Sequence, residues 1–279
     1  MNANHPFDRT PPLWLYWENP SHAWKRPEYL DLCYQTVQKH CDKHFTVLQL
    51  TPKNVYTYLP DLREDLDIKC TRAQKSHYIR LALLQKYGGV WLDADVLVFA
   101  SPMPYVRKLA QYDYVGFGCH FANCGVRQDG APRPASWIMV SRPNGTLVTA
   151  AKTRADFLLD QYPWALLRQP HAIGTDLVWS CIDDLLRGPG GWKYYHVGSK
   201  CVERDSAGRR LSNLRMLQNE APDPRCVGRL LLLPVGSTSP GLSRPLLDMT
   251  REQILHNRKM LMSRLFRWSL LDETPTRAR

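Results

Sequence analysis

The stretch KYGGVWLDADVLVF, residues 86–99, decides the fold and raises the question of function. It is an apolar run typical of a buried strand, but it carries two acids, Asp93 and Asp95. Side chains alternate across a strand, so a strand over residues 90–99 would direct both carboxylates to one face. Two carboxylates that converge favour a hard divalent cation, and the pair therefore predicts a Mg²⁺ or Mn²⁺ site. The structural alternative is that both acids face water at the end of the strand.

The segments around this stretch alternate between strand and helix patterns, which predicts an α/β protein. Thr71 and Gln74 form a capping-box pattern at the start of the preceding helix, and Gly88 and Gly89 end it. Residues 188–243 are rich in Gly, Pro and Arg, which predicts loops before a terminal helix. The predicted strands cover residues 12–18, 44–50, 90–99 and 136–141, and the other predicted helices cover residues 29–40, 147–161 and 175–186, with Thr175 as a cap.

Composition and charge limit the function classes. With 279 residues and a hydrophobic fraction of 44%, the chain can bury the core of one principal domain, and its apolar runs are too short to span a bilayer. The polar N-terminus lacks the apolar core of a secretory signal, and eight cysteines without a Cys-x-x-Cys pair are typical of reduced thiols. We therefore expect a cytoplasmic protein. The net charge of +11 predicts a polyanionic partner, and the sequence contains no motif typical of nucleic-acid binding.

The helix, double glycine, strand and acid pair together resemble the DXD region of the glycosyltransferases grouped with capsular polysaccharide synthesis proteins. More distantly, they are similar to the glucosyltransferase domains of large clostridial toxins. The family pattern reads roughly S-D-x-x-R-x-x-x-L-x-x-x-G-G-x-W/Y-x-D-x-D. His77 stands where the family usually has Asp. The residues that match the pattern are Ser76, Arg80, Leu84, Gly88, Gly89, Trp91, Asp93 and Asp95.

The resemblance covers residues 12–186 and implies a GT-A type fold, a Rossmann-like nucleotide-sugar-binding domain with a mixed central sheet. We assign this domain to residues 1–250. The implied reaction is the transfer of a sugar from a nucleotide-sugar donor, such as a UDP-sugar, to a glycan or lipid-linked acceptor in polysaccharide synthesis. The implied stereochemical outcome is retention, and the implied cofactor is Mn²⁺ or Mg²⁺.

The resemblance also assigns roles to individual residues. Asp93 and Asp95 are the implied metal ligands, and together with Arg80 they form the implied catalytic set. Trp17 corresponds to the residue that packs against the nucleotide base. The implied donor-binding residues are Tyr16, Trp17, Ser76, His77 and Arg80.

Two other functions remain open on sequence grounds. The segment VWLDADVLV also fits haloacid-dehalogenase-like phosphatases, in which the first Asp, here Asp93, would be the phosphoryl nucleophile. A noncatalytic sugar-nucleotide-binding protein is the second alternative, and His77 is its main support. Asp176, Asp183 and Asp184 could each supply a catalytic carboxylate or serve as caps and solvent-facing acids. Candidates for late phosphate contacts are Ser237, Thr238 and Ser239.

The last segment, residues 251–279, is predicted to form a basic amphipathic helix and tail. A helical wheel of residues 256–271 separates two sides. Such a helix could lie on an anionic membrane at the inner face, which would bring a cytoplasmic enzyme to a lipid-linked acceptor. The alternative is a helix packed on the core. The apolar side holds Leu261, Met262, Leu265, Phe266 and Trp268, and the polar side holds Lys259, Ser263, Arg264 and Arg267.

Overall fold

A computed structural model of the protein describes residues 10–20, 25–118, 133–162, 169, 172–197, 232–234 and 244–272. The chain divides into two compact units. Unit 1 contains the segments Met1–Glu18, Phe45–Leu92 and Met103–Gly198. Unit 2 contains the segments Asn19–His44, Asp93–Pro102 and Ser199–Arg279.

Strands and helices alternate along the described residues. The strands are β1 (Pro12–Tyr16), β2 (Thr46–Leu50), β3 (Gly89–Leu92), β4 (Val96–Val98), β5 (Tyr114–Phe117), β6 (Ala135–Ser141), β7 (Tyr194–Val197) and β8 (Leu232–Pro234). The helices are α1 (Glu28–Cys41), α2 (Val55–Tyr58), α3 (Leu66–Lys69), α4 (Arg72–Tyr87), α5 (Met103–Val106), α6 (Thr146–Gln161), α7 (Thr175–Arg187), α8 (Arg244–Leu247), α9 (Arg251–His256) and α10 (Leu261–Leu271). A 3₁₀ helix, Arg107–Ala110, follows α5.

Unit 1 is built on a six-stranded mixed sheet with the strand order β2-β1-β3-β6-β5-β7. Strand β1 pairs in parallel with β2 and β3, whereas β6 pairs antiparallel with β3 and β5. At the edge, β7 runs parallel to β5. This arrangement confirms the predicted α/β class with a mixed central sheet. It also means that β1 and β3 end at the same edge of the sheet.

The helix α4 begins and ends as its sequence predicts. The Thr71 hydroxyl accepts a hydrogen bond from the Gln74 backbone amide, and the Gln74 side-chain oxygen accepts one from the Thr71 backbone amide. The helix ends at Gly88, which has a φ of 66°, and Gly89 follows with a φ of 91°. A Cβ on Gly88 would lie 2.5 Å from the Pro143 nitrogen, and one on Gly89 would lie 2.2 Å from the Pro12 carbonyl oxygen. Both the positive φ angles and the close backbone approach therefore require glycine.

The core of unit 1 forms around β3, the strand that follows the double glycine. Val90, Trp91 and Leu92 are completely buried. Because consecutive side chains of a strand point to opposite faces, the burial of all three shows that both faces of β3 are covered, which agrees with its unbroken apolar run. Each fully buried large apolar side chain contributes about 2 kcal/mol to folding. Trp14 in β1 adds a hydrogen bond from its indole nitrogen to the Gly88 carbonyl, at 2.9 Å.

Unit 2 holds a two-stranded antiparallel sheet of β4 and β8. Helix α1 packs on β4, and the Val98 amide donates a hydrogen bond to the Thr36 hydroxyl of α1 at 3.0 Å. The hydroxyl of Ser269 in α10 donates to the Val98 carbonyl. The rings of Phe99 and Trp268 lie 4.7 Å apart, so β4 is held by helices from both ends of the sequence.

The predicted strand over residues 90–99 is wrong at the two acids. Strand β3 ends at Leu92, and the chain turns before β4 begins at Val96. The Val96 amide closes this turn by donating to the Asp93 carbonyl at 3.1 Å. Asp93 and Asp95 therefore lie in a turn, and the alternation of side chains along a strand does not apply to them.

Two further predictions are corrected by the structure. Thr175 does not cap α7, because Gly174 is the N-cap residue and makes no side-chain cap; the Thr175 hydroxyl instead lies 2.8 Å from the Ser136 hydroxyl. The region predicted as loops up to residue 243 contains β7 and β8.

The C-terminal helix α10 is packed on more sides than the helical wheel predicts. The predicted apolar side is buried at Leu261, Met262, Leu265 and Phe266. Two residues assigned to the polar side, Ser263 and Arg267, are buried as well, and Arg267 donates to the Leu255 carbonyl at 2.8 Å. Within the described ranges, no helix combines the length and the apolar composition that crossing a membrane requires. The predicted boundary at residue 250 stays a prediction.

Candidate functional site

The acid pair lies in the turn at the start of the second segment of unit 2. Asp95 is buried, with 7% of its surface exposed, and Asp93 is half-buried. The Asp95 carboxylate interacts electrostatically with Tyr29 and Cys33, which lie one turn apart on the same face of α1. Burial, and secondly the Asp95 charge, raise the pKa of the Cys33 thiol and of the Tyr29 hydroxyl above their usual ranges. Both groups therefore stay neutral beside the carboxylate at neutral pH.

The donor set at this turn fits a hard divalent cation. Carboxylate oxygens are the ligands that Mg²⁺ and Mn²⁺ prefer, and Mg²⁺ is usually held by one or two carboxylates together with substrate phosphates. In the part of the chain that the structure describes, no group of three His, Cys, Asp or Glu side chains could hold a metal ion. Asp93 and Asp95 could therefore bind such an ion only if a substrate or water completes its coordination shell.

A hydrogen-bonded network occupies the carboxyl end of β1 in unit 1. The Tyr16 hydroxyl donates to Glu18 at 2.7 Å, and the Lys75 ammonium lies 3.1 Å from Glu18 and 2.5 Å from Asp67. Burial lowers the pKa of Lys75, but the two carboxylates outweigh this effect and raise it above its usual range. Burial, reinforced by Glu18, raises the pKa of Tyr16. The network joins the end of β1 to the first turn of α4.

Trp17 lies between Tyr16, the last residue of β1, and Glu18. Its backbone amide donates to the Leu50 carbonyl at 3.0 Å, which extends the ladder between β1 and β2 by one residue. The side chain is half-buried. Tyr16 and Glu18 flank it in sequence and are bonded to each other, so the backbone of Trp17 is fixed on both sides. Glu18 and Lys75 were not predicted from the sequence. The only signal there is that both residues are charged and lie next to predicted donor-binding residues.

Ser76 and His77 follow Lys75 on α4, and both are half-buried. The His77 ring packs against the backbone of Gly174, the residue before α7, because a Cβ on Gly174 would lie 2.8 Å from both Cδ2 and Nε2 of the ring. Gly174 was also missed by sequence reasoning. Nothing near it in the sequence indicates that residue 77, almost a hundred positions away, needs the space.

Arg80 is buried inside unit 1, with 2% of its surface exposed. Its guanidinium donates to the Ser136 carbonyl of β6 and lies over the Trp91 ring, 5.0 Å from the ring centroid. Arg80 therefore links α4 to two neighbouring strands. These contacts hold the guanidinium inside unit 1, and its predicted direct contact with a donor stays a prediction.

The three aspartates of α7 lie on or near its solvent side. Asp183 pairs with Arg133 at 2.6 Å, and Asp184 pairs with Arg154 at 3.1 Å and with Arg187 at 2.8 Å. Asp176 is exposed. None of the three is the N-cap of α7. The other late candidates, Ser237, Thr238 and Ser239, lie outside the described residues.

The structure thus brings together part of the predicted site. Tyr16 and Trp17 at the end of β1 meet the first turns of α4, which carry Ser76 and His77, through the Glu18–Lys75 pair. The two acids belong to the other unit. Asp93 directly follows the last residue of β3 and is the first residue of a segment of unit 2.

Comparison with known proteins gives one family match. The model of the family described as capsular polysaccharide synthesis protein matches residues 1–158, which is more than half of the chain. The match includes Trp17 and the whole stretch from Ser76 to Asp95. No curated protein matches the chain by sequence.

Several solved structures resemble the fold at low identity. The PaToxG glycosyltransferase is 12% identical, with a TM-score of 0.46 over 64% of this chain and 70% of that chain. A glycosyltransferase involved in the glycosylation of the major capsid of PBCV-1 is 14% identical, with a TM-score of 0.45 over 85% and 98% of the two chains. GlyE of Streptococcus pneumoniae TIGR4 is 10% identical, with a TM-score of 0.36 over 67% and 46%. All three TM-scores are below 0.5, so the family assignment rests on the match to residues 1–158.

Proposed function

The chain belongs to the capsular polysaccharide synthesis protein family, and we propose that it is a glycosyltransferase of the GT-A type that uses a nucleotide-sugar donor. The observation that carries this proposal is the family match across residues 1–158, which contain the complete acid-pair region. The mixed α/β sheet supports it, because ligands of open α/β sheets bind beyond the carboxyl ends of the strands. Trp17 directly follows β1, and Asp93 directly follows β3.

In this proposal the residues at the end of β1 bind the nucleoside. Trp17 stacks on the base, and the Tyr16–Glu18–Lys75 network holds its backbone in place. Ser76 and His77, on the adjoining turn of α4, contact the ribose or the sugar. Arg80 keeps this turn of α4 fixed to β3 and β6 through Trp91 and Ser136. A preorganised site of this kind avoids the cost of ordering side chains when the donor binds.

The proposed cofactor is Mn²⁺ or Mg²⁺, held by Asp93 and Asp95. When bound, such an ion neutralises the negative charge that develops on the departing diphosphate. The chain contributes two hard oxygen ligands in a short turn, and the burial of Asp95 keeps that ligand from water. The neutral Tyr29 and Cys33 beside Asp95 add no competing charge.

The acceptor is proposed to be a glycan or a lipid-linked sugar in polysaccharide synthesis, with retention at the transferred carbon. Retaining transfer needs no dedicated carboxylate base. The ion pairs of Asp183 and Asp184 with arginines support this outcome, because they engage carboxylates that could otherwise serve as a base. Membrane contact through α10 is not part of the proposal, since the apolar side on which it depends is buried within unit 2.

The two alternative functions make different predictions. Family membership gives the haloacid-dehalogenase-like phosphatase no support. A noncatalytic binder of sugar nucleotides would keep donor affinity and lack turnover, and His77 at the family's Asp position is the observation in its favour.

A binding and turnover screen separates these functions. Thermal shifts would be measured with UDP-sugars, GDP-sugars and phosphorylated metabolites, each with and without Mn²⁺, followed by measurement of released nucleoside diphosphate. Stabilisation by one nucleotide-sugar class together with diphosphate release supports the proposal. Stabilisation without release identifies a noncatalytic binder, and release of phosphate from the metabolites identifies a phosphatase.

A further inference from the structure

A cleft of about 400 Å³ lies along α7 in unit 1, apart from the residues assigned to the donor. Its lining comes mainly from one stripe of the helix at spacings of three or four residues, which places these side chains on one face. The opposite face of α7 packs into the core. The lining residues are Arg133, Asp176, Trp179, Ser180, Asp183 and Arg187.

The chemistry of the lining indicates what kind of ligand the cleft suits. Two arginines and two aspartates line it, so their formal charges sum to zero. The aspartates disfavour a phosphate, and the arginines disfavour a cation. Carboxylates accept hydrogen bonds, guanidinium groups donate them, and the indole of Trp179 offers an apolar surface. A neutral ligand that has hydroxyl groups and one apolar C–H face matches all three, and a sugar ring is such a ligand.

The polar groups of the cleft are held in place by protein contacts. The Trp179 indole nitrogen donates to the Pro134 carbonyl at 2.6 Å, and the Arg133 guanidinium carbon lies 5.4 Å from the indole ring centroid. Arg133 also pairs with Asp183 at 2.6 Å. Arg154 donates to the Ser180 oxygen at 2.6 Å, which leaves the Ser180 hydroxyl proton available to a ligand. The orientation of the indole is therefore set before a ligand binds.

The cleft adjoins the residues that we assign to the donor. His77 packs on Gly174, the residue immediately before α7. Trp179 lies five residues further along, or about 8 Å at 1.5 Å per residue. Asp176 lies between them. A sugar bound against Trp179 would thus lie beside the His77 end of α7, within the reach of one sugar ring.

We propose that this cleft is the acceptor subsite and binds a neutral sugar ring of the acceptor glycan. The inference rests on the proposed glycosyl transfer. In it, Trp179 packs on the C–H face of the ring, while Asp176, Asp183 and Arg133 bond its hydroxyls. Because the sugar itself is recognised, the subsite accommodates both a soluble glycan and a lipid-linked one.

The test uses simple glycosides with the full-length protein. Saturation-transfer NMR would be recorded with methyl α-D-glucoside, methyl β-D-galactoside and methyl N-acetyl-β-D-glucosaminide, in the presence of saturating UDP and Mn²⁺. Trp179→Ala should weaken the bound glycoside about tenfold, the scale of a lost aromatic contact. Asp176→Asn, at an exposed position that does not threaten folding, should weaken it several-fold. Trp179→Phe should retain most of the binding.

Asp61→Asn is the control, because Asp61 is an exposed acid of unit 1 that carries the same charge and does not line the cleft. It should bind the glycosides as the parent does. Comparing octyl with methyl β-D-glucoside separates the sources: tighter binding of the octyl form indicates a lipid-linked acceptor, and equal binding indicates a soluble one. Either result supports the subsite.

Three outcomes would overturn the proposal. They are the absence of glycoside signal, equal weakening by Asp61→Asn, and loss of the glycoside signal when UDP-glucose replaces UDP, which would make the cleft a donor-sugar pocket. UDP binding is recorded in the same samples. Its loss would count against the proposed function, whereas intact UDP binding without glycoside binding would count against the acceptor subsite alone.

Discussion

The imidazole of His77 occupies the space that a side chain at Gly174 would need, since a Cβ there would lie 2.8 Å from Nε2. This contact fixes residue 77 of α4 against the start of α7. Gly174→Ala should push the ring away and change the affinity for a UDP-sugar by about as much as His77→Ala does. Titration calorimetry with UDP-glucose measures this effect. Gly190→Ala is the control, because no atom lies within 4 Å of the added Cβ, and it should leave the affinity unchanged.

The charge of His77 gives a second prediction. In the proposed site the ring lies beside a donor that carries a negatively charged diphosphate, and protonation adds a favourable charge. UDP-glucose should therefore bind more tightly as the pH falls through the range near 6.5 in which histidines ordinarily titrate. UDP-glucose suits the measurement because its phosphodiester groups do not titrate there. His77→Asn should flatten the profile between pH 5.5 and 8.5. An unchanged profile in this variant would show that another group causes the pH dependence.

Trp17 should report on nucleotide binding directly. Stacking of a base on an aromatic side chain is worth roughly 1 to 3 kcal/mol, so Trp17→Ala should weaken UDP binding about tenfold or more. Trp17→Phe should recover most of the loss. UDP should also quench part of the tryptophan fluorescence of the parent, and that part should vanish in both variants. If Trp17→Ala binds UDP as tightly as the parent does, Trp17 has only a structural role in the sheet.

The stability of unit 1 should depend on Asp65 in acid. Hydrogen bonds from Arg63, at 2.9 and 2.7 Å, outweigh burial, and together with Lys69 they hold the pKa of Asp65 well below its usual range. A carboxylate whose folded pKa is depressed stabilises the fold above its unfolded pKa and loses that contribution as the pH falls through the folded value.

Thermal melts of the parent and Asp65→Asn test this effect. The parent should be more stable by about 1 kcal/mol between pH 5 and 8, the scale of a partly exposed ion pair. The difference should shrink below about pH 4, the unfolded pKa of Asp. A difference that stays constant down to pH 2 would show that the charge of Asp65 is not responsible.

Local signals were sufficient to predict much of the fold. The capping box at Thr71 and the stop at Gly88 directly flank α4, so its ends could be predicted from adjacent residues. The break after Leu92 could not be predicted in this way. Strand β4 pairs with β8 more than 130 positions later, and no local pattern marks either that pairing or the turn at Asp93.

The same reason explains the errors at the candidate site. Thr175 looked like a cap because its partner, Ser136 on β6, is distant in sequence. Arg267 looked exposed because a helical wheel distinguishes two sides, whereas α10 contacts α1, α9 and β4. The resemblance to the family identified four candidate residues, Tyr16, Trp17, Ser76 and His77. It did not identify Lys75 and Gly174, because their contacts with Glu18 and His77 join residues that are distant in sequence.

The central claim is that Asp95 helps to hold a divalent cation that sugar transfer requires. The most direct measurement is the release of UDP from UDP-sugars by the parent, by Asp95→Asn and by the control Asp61→Asn, each in Mn²⁺ and in EDTA. The near-isosteric Asp95→Asn keeps the packing of this buried side chain. We predict release by the parent and the control in Mn²⁺ only, and a loss of about a thousandfold in Asp95→Asn, the scale of several kcal/mol of lost charge stabilisation. Undiminished release by Asp95→Asn, or by the parent in EDTA, would contradict the account.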